Sequence, residues 1–225
     1  MATPKYKSHA KINLGLKVVN KREDGYHNID SIFIELNLHD TISFSPSDTF
    51  SLSTNFPDLP DDDSNLVTKA YNLLHPYKAK STPEYKIHVE KKIPMGGGLG
   101  GGSSNAATTL NALNQLWKLN YSLQELEKMS TELGADVPFF IKGGVQLAEG
   151  IGDILTPVDS NLLEGYSFLL VVPPIHISTP WAYNALNKTL QPNKRLPKFP
   201  PLSKPMKWEL FDNDFERVIR KTYPE

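Results

Sequence analysis

The sequence predicts an α+β fold, and three observations carry that prediction. Tyr85-Lys86-Ile87-His88-Val89-Glu90 places apolar residues at every second position, the period of a strand. Ala106, Leu110, Leu113 and Trp117 recur at helical spacing. Between these two patterns lies a run that holds six of the chain's 14 glycines. A strand, a glycine-rich turn and a helix in direct succession form a junction suited to an anion. Glycine lets the backbone adopt positive φ and approach a ligand closely. The first N–H groups of a helix have no partner inside it and point at phosphate oxygens. Ser103, Ser104 and Thr108 add hydroxyls for a phosphate or a bound Mg²⁺. A flexible Gly/Ser linker is the plainer alternative, but a linker has no reason to separate a strand from a well-patterned helix.

The remaining elements follow in order. Ala10 to Val18 alternates: Ala10, Ile12, Leu14, Leu16 and Val18 point one way, Lys11, Asn13, Gly15 and Lys17 the other. This is a half-buried strand with Lys11 and Asn13 on its polar face, which on pattern alone is a solvated face. Asn20 to Gly25 is a turn with Asp24-Gly25 as its signal. A strand is expected from Ile29 to Leu36, with further short strands at Thr41–Ser45 and Phe50–Ser53. Asp61-Asp62-Asp63-Ser64-Asn65 leads into a helix from Leu66 to His75, with Ser64 or Asn65 as N-cap and Pro76 as terminator. Ser122-Leu123-Gln124-Glu125 is a capping box, and its helix runs to Leu133 and closes at Gly134. Asp136 before Val137-Pro138 reads as the N-cap of a short proline-containing turn. Gly143 to Thr156 resembles a hairpin. Phe168-Leu169-Leu170-Val171-Val172 is a continuous apolar run, expected as a buried strand stopped by Pro173-Pro174. Thr179-Pro180 starts a helix with proline at its first position. Gln191 to Pro205 reads as a loop, and Asn213 begins a final helix that stops at Tyr223-Pro224-Glu225.

Composition narrows the function. With a formal net charge of −1, the chain has no electrostatic footprint for nucleic acid or an anionic membrane. It has no cysteine, which excludes disulfides, thiol nucleophiles and thiolate metal sites and suits a cytoplasmic location. The start is polar, without the apolar core of a signal peptide, and no apolar run approaches membrane-spanning length. The six histidines are scattered, and none forms the His-Glu-x-x-His helix of a zinc hydrolase.

Among phosphate loops, the P-loop wants Lys-Ser/Thr after its last glycine, whereas Gly102 is followed by Ser103-Ser104. A dinucleotide fingerprint matches formally at Gly96, Gly98 and Gly101, but the region about 20 residues on holds a helix rather than a strand ending in an acid. Pro94-Met95-Gly96-Gly97-Gly98-Leu99-Gly100-Gly101-Gly102-Ser103-Ser104-Asn105 instead resembles the motif with which GHMP kinases wrap the ATP phosphates. Arg22-x-Asp24-Gly25-Tyr26-His27 resembles the cytidyl-binding stretch of one branch, the 4-diphosphocytidyl-2-C-methyl-D-erythritol kinases of non-mevalonate isoprenoid synthesis. Ala10-Lys11-Ile12-Asn13-Leu14 is similar to the family's first motif, and Gly134-x-Asp136-Val137-Pro138-Phe139 to its catalytic segment.

The resemblance implies an N-terminal ribosomal-protein-S5-domain-2-like domain with the phosphate loop (1–157) and a truncated ferredoxin-like C-terminal domain (158–225). It implies ATP-dependent phosphorylation, with Mg²⁺, of the 2-hydroxyl of the cytidyl-bearing small molecule. Lys11 and Asp136 would be catalytic. Pro94 to Asn105, with Asn65 and Lys91, would bind ATP. Asn13, Tyr26, His27, Thr179 and Tyr183 would hold the acceptor, with Tyr26 and Tyr183 sandwiching its cytosine and His27 reading the polar edge. The family's third motif, a second glycine-rich loop, has no counterpart here, because Gly165 is the last glycine. Exposed apolar surface is therefore expected in the C-terminal part. A GHMP kinase for another small alcohol and a nucleotide-binding protein without transferase activity are the competing expectations.

Overall fold

The computed structural model describes residues 3–173, 175, 177–187 and 199–224. Pro174, residues 191–198 of the expected loop and the terminal Glu225 lie outside the described residues. The named strands are β1 (Lys5–Lys21), β2 (His27–Ser47), β3 (Ser51–Thr54), β4 (Glu84–Glu90), β5 (Val145–Glu149) and β6 (Ile154–Pro157). The α-helices are α1 (Leu66–Leu74), α2 (Gly101–Leu116), α3 (Leu123–Ser130), α4 (Val137–Lys142), α5 (Thr179–Asn187) and α6 (Asp214–Thr222). The chain segregates into two compact units, residues 1–11 with 35–143 and residues 12–34 with 144–225.

In the first unit the C-terminal half of β2 pairs antiparallel with β4, Thr41 opposite Glu90 and Ser47 opposite Glu84. Strand β3 adds to β4 in parallel. Alternation in β4 buries Tyr85, Ile87 and Val89, and Phe44, Leu74, Leu110, Leu113 and Phe139 join them in a closed core. Helix α2 buries Ala106, Leu110 and Leu113, as its spacing predicts. Asn65 caps α1 by accepting a hydrogen bond from the Val67 N–H at 2.9 Å. The Ser122–Glu125 capping box starts α3 as expected.

One expectation is corrected here. Residues 29–36 and 41–45 are not separate strands; they belong to the single strand β2. Asn37, His39 and Asp40 are weak strand formers and read as a break. Asp40 is instead buried at mid-strand, where its carboxylate has partners of its own.

In the second unit Ser31–Ile34 of β2 pair antiparallel with Ala148–Val145 of β5. Strand β5 returns as β6, which confirms the expected hairpin. Helices α5 and α6 close on Val18, Leu186 and Val218, with Tyr183 and Phe215 against them. Strand β1 carries Gly15 at φ +71°, where a Cβ would meet the Phe199 ring at 2.4 Å. Only glycine fits that close approach and that φ.

The expected buried strand at Phe168–Val172 is absent. The segment has no strand partner among the described residues, and Leu169 is 91% exposed. Without a neighbouring sheet edge the apolar run has neither ladder nor core to face. Val171, Val172, Trp208 and Leu210 are exposed as well, so the apolar surface anticipated from the sequence is present.

The two leucines separate by experiment. Leu110→Ala, at a fully buried position, is expected to lower unfolding free energy by about 2–5 kcal/mol. Leu169→Ser is expected to change it by less than about 0.5 kcal/mol. Urea titrations followed by circular dichroism measure both.

Candidate functional site

The first unit places the glycine run between the end of β4 and the start of α2. Gly100 takes the N-cap position of α2 at φ +69°, with no side chain to cap the helix. The first helical bond runs from the Ser104 N–H to the Gly100 carbonyl at 2.8 Å. The N–H groups of Gly101, Gly102 and Ser103 therefore have no intrahelical acceptor. They sit on the wall of a cleft of ≈ 410 Å³ lined by the run 94–103 together with Asn65, Lys91 and Asn105. Leu59, Pro60, Ser64 and Leu66, from the approach to α1, complete the lining. Unpaired N–H groups and the positive end of the helix dipole make this wall a site for phosphate oxygens.

Gly100 also fixes what lies behind the run. A Cβ built there would come within 2.7 Å of Cζ of Phe140 and 3.1 Å of Cγ of Lys11. The Lys11 N–H donates to the Leu99 carbonyl at 2.9 Å. Strand β1, the glycine run and α4 thus converge on one point. This is why Lys11 is 5% exposed, although its strand pattern puts it on the polar side.

The Lys11 ammonium lies 3.7 Å from a carboxylate oxygen of Asp136. Burial pushes the Lys11 pKa down, and the charge of Asp136 and its hydrogen bond offset this only in part. Asp136 occupies the N-cap position of α4 but makes no capping bond. Its side chain is 38% exposed. A carboxylate at a helix start that does not cap is available for other chemistry. Here it stands beside a cation held in a desolvated place.

Below the run lies a buried polar network. Asp40, with no exposed surface, accepts from the N–H groups of Lys92 at 2.7 Å and Ile93 at 2.9 Å. Its other oxygen takes the Lys91 ammonium and the Asn105 amide, the latter at 2.9 Å. Asn105 also donates to Ser8 Oγ, and Ser8 bonds Ser104 Oγ, both at 2.8 Å. Ser104 therefore faces the interior and is not part of the cleft lining, while Ser103 is. Asn65 spends a donor on the Pro60 carbonyl at 2.6 Å and an acceptor on its cap. Sequence reasoning did not single out Ser8, Asp40 or Phe140. An acid flanked by strand-forming residues, Leu38-His39-Asp40-Thr41-Ile42, was the available signal for Asp40.

The second unit carries the aromatic set. The turn at Asp24-Gly25 closes with the Arg22 N–H on the Tyr26 carbonyl at 2.8 Å and the Tyr26 N–H on the Asp24 carboxylate at 3.0 Å. It leaves Tyr26 59% exposed and His27 buried. His27 stacks on Tyr183 with ring centroids 4.8 Å apart and planes 19° apart. Phe215 braces Tyr183 edge-on at 4.9 Å. Among the described residues no ring contact joins Tyr26 directly to Tyr183, whose ring lies against His27. Thr179 is exposed at the first position of α5, and Asn13 is half-buried on β1.

Among the described residues no three His, Asp or Glu side chains gather as a metal site. Among the described residues no helix is long and apolar enough to cross a membrane.

The family profile described as the GHMP kinases N terminal domain matches residues 65–144. The 4-diphosphocytidyl-2-C-methyl-D-erythritol kinase of Chlorobium luteolum is 39% identical over 97% of this chain and 77% of its own length. That of Pelodictyon phaeoclathratiforme is 43% identical, again over 97% and 77%. A crystal structure of 4-(cytidine 5'-diphospho)-2C-methyl-D-erythritol kinase matches with a TM-score of 0.76 and 30% identity, covering 98% of this chain and 79% of that one. A mevalonate kinase from Methanococcus jannaschii, 16% identical with a TM-score of 0.63 over 83% of this chain and 67% of its own, shares the fold.

The lowered Lys11 pKa makes a stability prediction. Between the folded-state pKa and the ordinary lysine value the unfolded chain binds more protons, so wild-type stability rises with pH across that window. Below the window the buried ammonium is a constant cost. Lys11→Met is therefore expected to melt higher than wild type at neutral pH, with the gap narrowing as pH rises toward 10.5. Thermal melts across that range check it, and a lower melting point at neutral pH contradicts it.

Proposed function

This chain belongs to the 4-diphosphocytidyl-2-C-methyl-D-erythritol kinases, a branch of the GHMP kinases, and we propose that it transfers the γ-phosphoryl group of ATP to the 2-hydroxyl of that cytidyl polyol. The observation that carries the mechanism is the Lys11–Asp136 pair directly behind the glycine run.

Phosphoryl transfer needs positioning and charge neutralisation more than covalent help from the protein. The N–H groups at the start of α2 receive the triphosphate, and Lys91 adds a positive charge at the cleft wall. Asp136 accepts the proton of the acceptor hydroxyl as that oxygen bonds the γ-phosphorus and the bond to the ADP oxygen breaks. Lys11 orients Asp136 through their ion pair and steadies the charge that develops. Ser103, which lines the cleft, would be the residue to hold a Mg²⁺ carried by the phosphates. That cation supplies charge neutralisation on the phosphate oxygens.

In the second unit Tyr26 offers its exposed ring face to the cytosine. Stacking on Tyr183 engages a face of His27, while hydrogen bonding to a base uses the ring edge, so both roles are compatible. Tyr183 acts in this reading as the support that orients His27. Thr179 and Asn13 contribute polar contacts to the acceptor.

Steady-state kinetics separate the two roles. Asp136→Ala is expected to lower kcat by about 10²–10⁴-fold, the worth of a positioned general base, with little change in acceptor KM. Tyr26→Ala is expected to raise acceptor KM roughly tenfold through lost base stacking, with kcat nearly kept. Equal losses of kcat in both variants contradict this division.

A further inference from the structure

We propose that Asp40 is a positioning residue for nucleotide binding, clamping the two ends of the glycine run so that the run is preformed when ATP arrives. This rests on reading the cleft of the first unit as the ATP site. The outer part of the run, before Leu99, needs such a clamp because it has little packing of its own. Gly98 has open space where a Cβ would stand, and Met95 is exposed. Its backbone tie to strand β1 is the bond between Leu99 and Lys11. Glycine-rich backbone has more conformational freedom to lose than any other. A loop ordered only by its ligand loses affinity to that ordering.

Asp40 reaches both ends of the run from a third element, β2. One oxygen holds the backbone of Lys92 and Ile93, immediately before Pro94. The other holds Asn105, the fifth residue of α2 and just beyond the run, and the ammonium of Lys91. Lys91 in turn donates to Asn105 at 3.1 Å, so the two anchors are also joined to each other. The same ammonium lies 3.2 Å from where a Cβ on Gly101 would stand. Asp40 thereby sets the place of the positive charge beneath the start of α2. Its own side chain is not part of the cleft lining, so it acts through Lys91, Asn105 and the loop ends.

Asp40→Asn tests the proposal. The variant keeps the side-chain volume and an oxygen for the two backbone N–H groups. It turns an NH₂ toward the Asn105 amide and the Lys91 ammonium, setting donor against donor. ATP Kd, measured by titration calorimetry, is expected to rise at least about tenfold as preorganisation is lost. Acceptor Kd is expected to stay the same, and kcat at saturating ATP to stay within about threefold of wild type. An unchanged ATP Kd, or equal rises for ATP and acceptor, overturns the proposal, whatever happens to the melting temperature. If Asp40→Asn does not fold, Ser8→Ala replaces it, since Ser8 holds Asn105 from a buried place outside the cleft. A rise of about threefold in ATP Kd alone is then expected, and no rise overturns the proposal. Wild-type protein that binds no ATP refutes the reading of the cleft itself. Wild-type binding with an unaffected Asp40→Asn refutes only the clamp.

Discussion

The first unit turns on the absence of a side chain at Gly100. There the backbone takes a left-handed φ of +69° with the Phe140 ring and the Lys11 stem closed against it. Any Cβ would push these groups apart. The contact lets the glycine run bend into the N-terminus of α2. It covers the stem of Lys11, which desolvates the ammonium. It also brings α4, with Asp136 at its start, to the back of the run. The bend of the run into α2 and the approach of Lys11 to Asp136 are thus consequences of one steric fact, and loosening it would disturb both.

Two lysine–carboxylate pairs then divide the electrostatic work of this unit. Lys91 and Asp40 form a pair in which the carboxylate is fully buried and also takes three further N–H donors. Such a pair is set for geometry, since each partner without the other would be an uncompensated buried charge. Lys11 and Asp136 are looser, 3.7 Å apart, with the carboxylate partly open to solvent. Burial disfavours the charge of that lysine, and this is the pair to which the proposed reaction assigns the acid–base work. The second unit shows the corresponding pattern in aromatic form. A rigid stack of His27 on Tyr183, braced by Phe215, sits beside the exposed ring of Tyr26.

Local pattern made much of this legible. The strand–glycine–helix junction, the Asn65 cap, the Ser122 capping box and the hairpin after Gly143 each depend on neighbours in sequence, and each is present in the structure. Features set by distant partners were not legible. Lys11 looked solvated because its cover, Leu99 to Phe140, lies far along the chain. Asp40 fell between two expected strands and drew no reading, because its partners, Lys91 to Ile93 and Asn105, lie far along the chain. The run Phe168–Val172 looked buried because continuous apolarity normally means a central strand, but burial needs a partner edge that composition does not reveal. The stack of Tyr183 on His27 likewise depends on side-chain packing, to which a motif is blind.

The account is tested most directly by coupled measurement of ADP release with ATP, Mg²⁺ and 4-diphosphocytidyl-2-C-methyl-D-erythritol, beside mevalonate and homoserine as acceptors. It predicts ADP release that requires the cytidyl acceptor. Release with mevalonate or homoserine at a similar rate, or none with any acceptor while ATP binds, would contradict it.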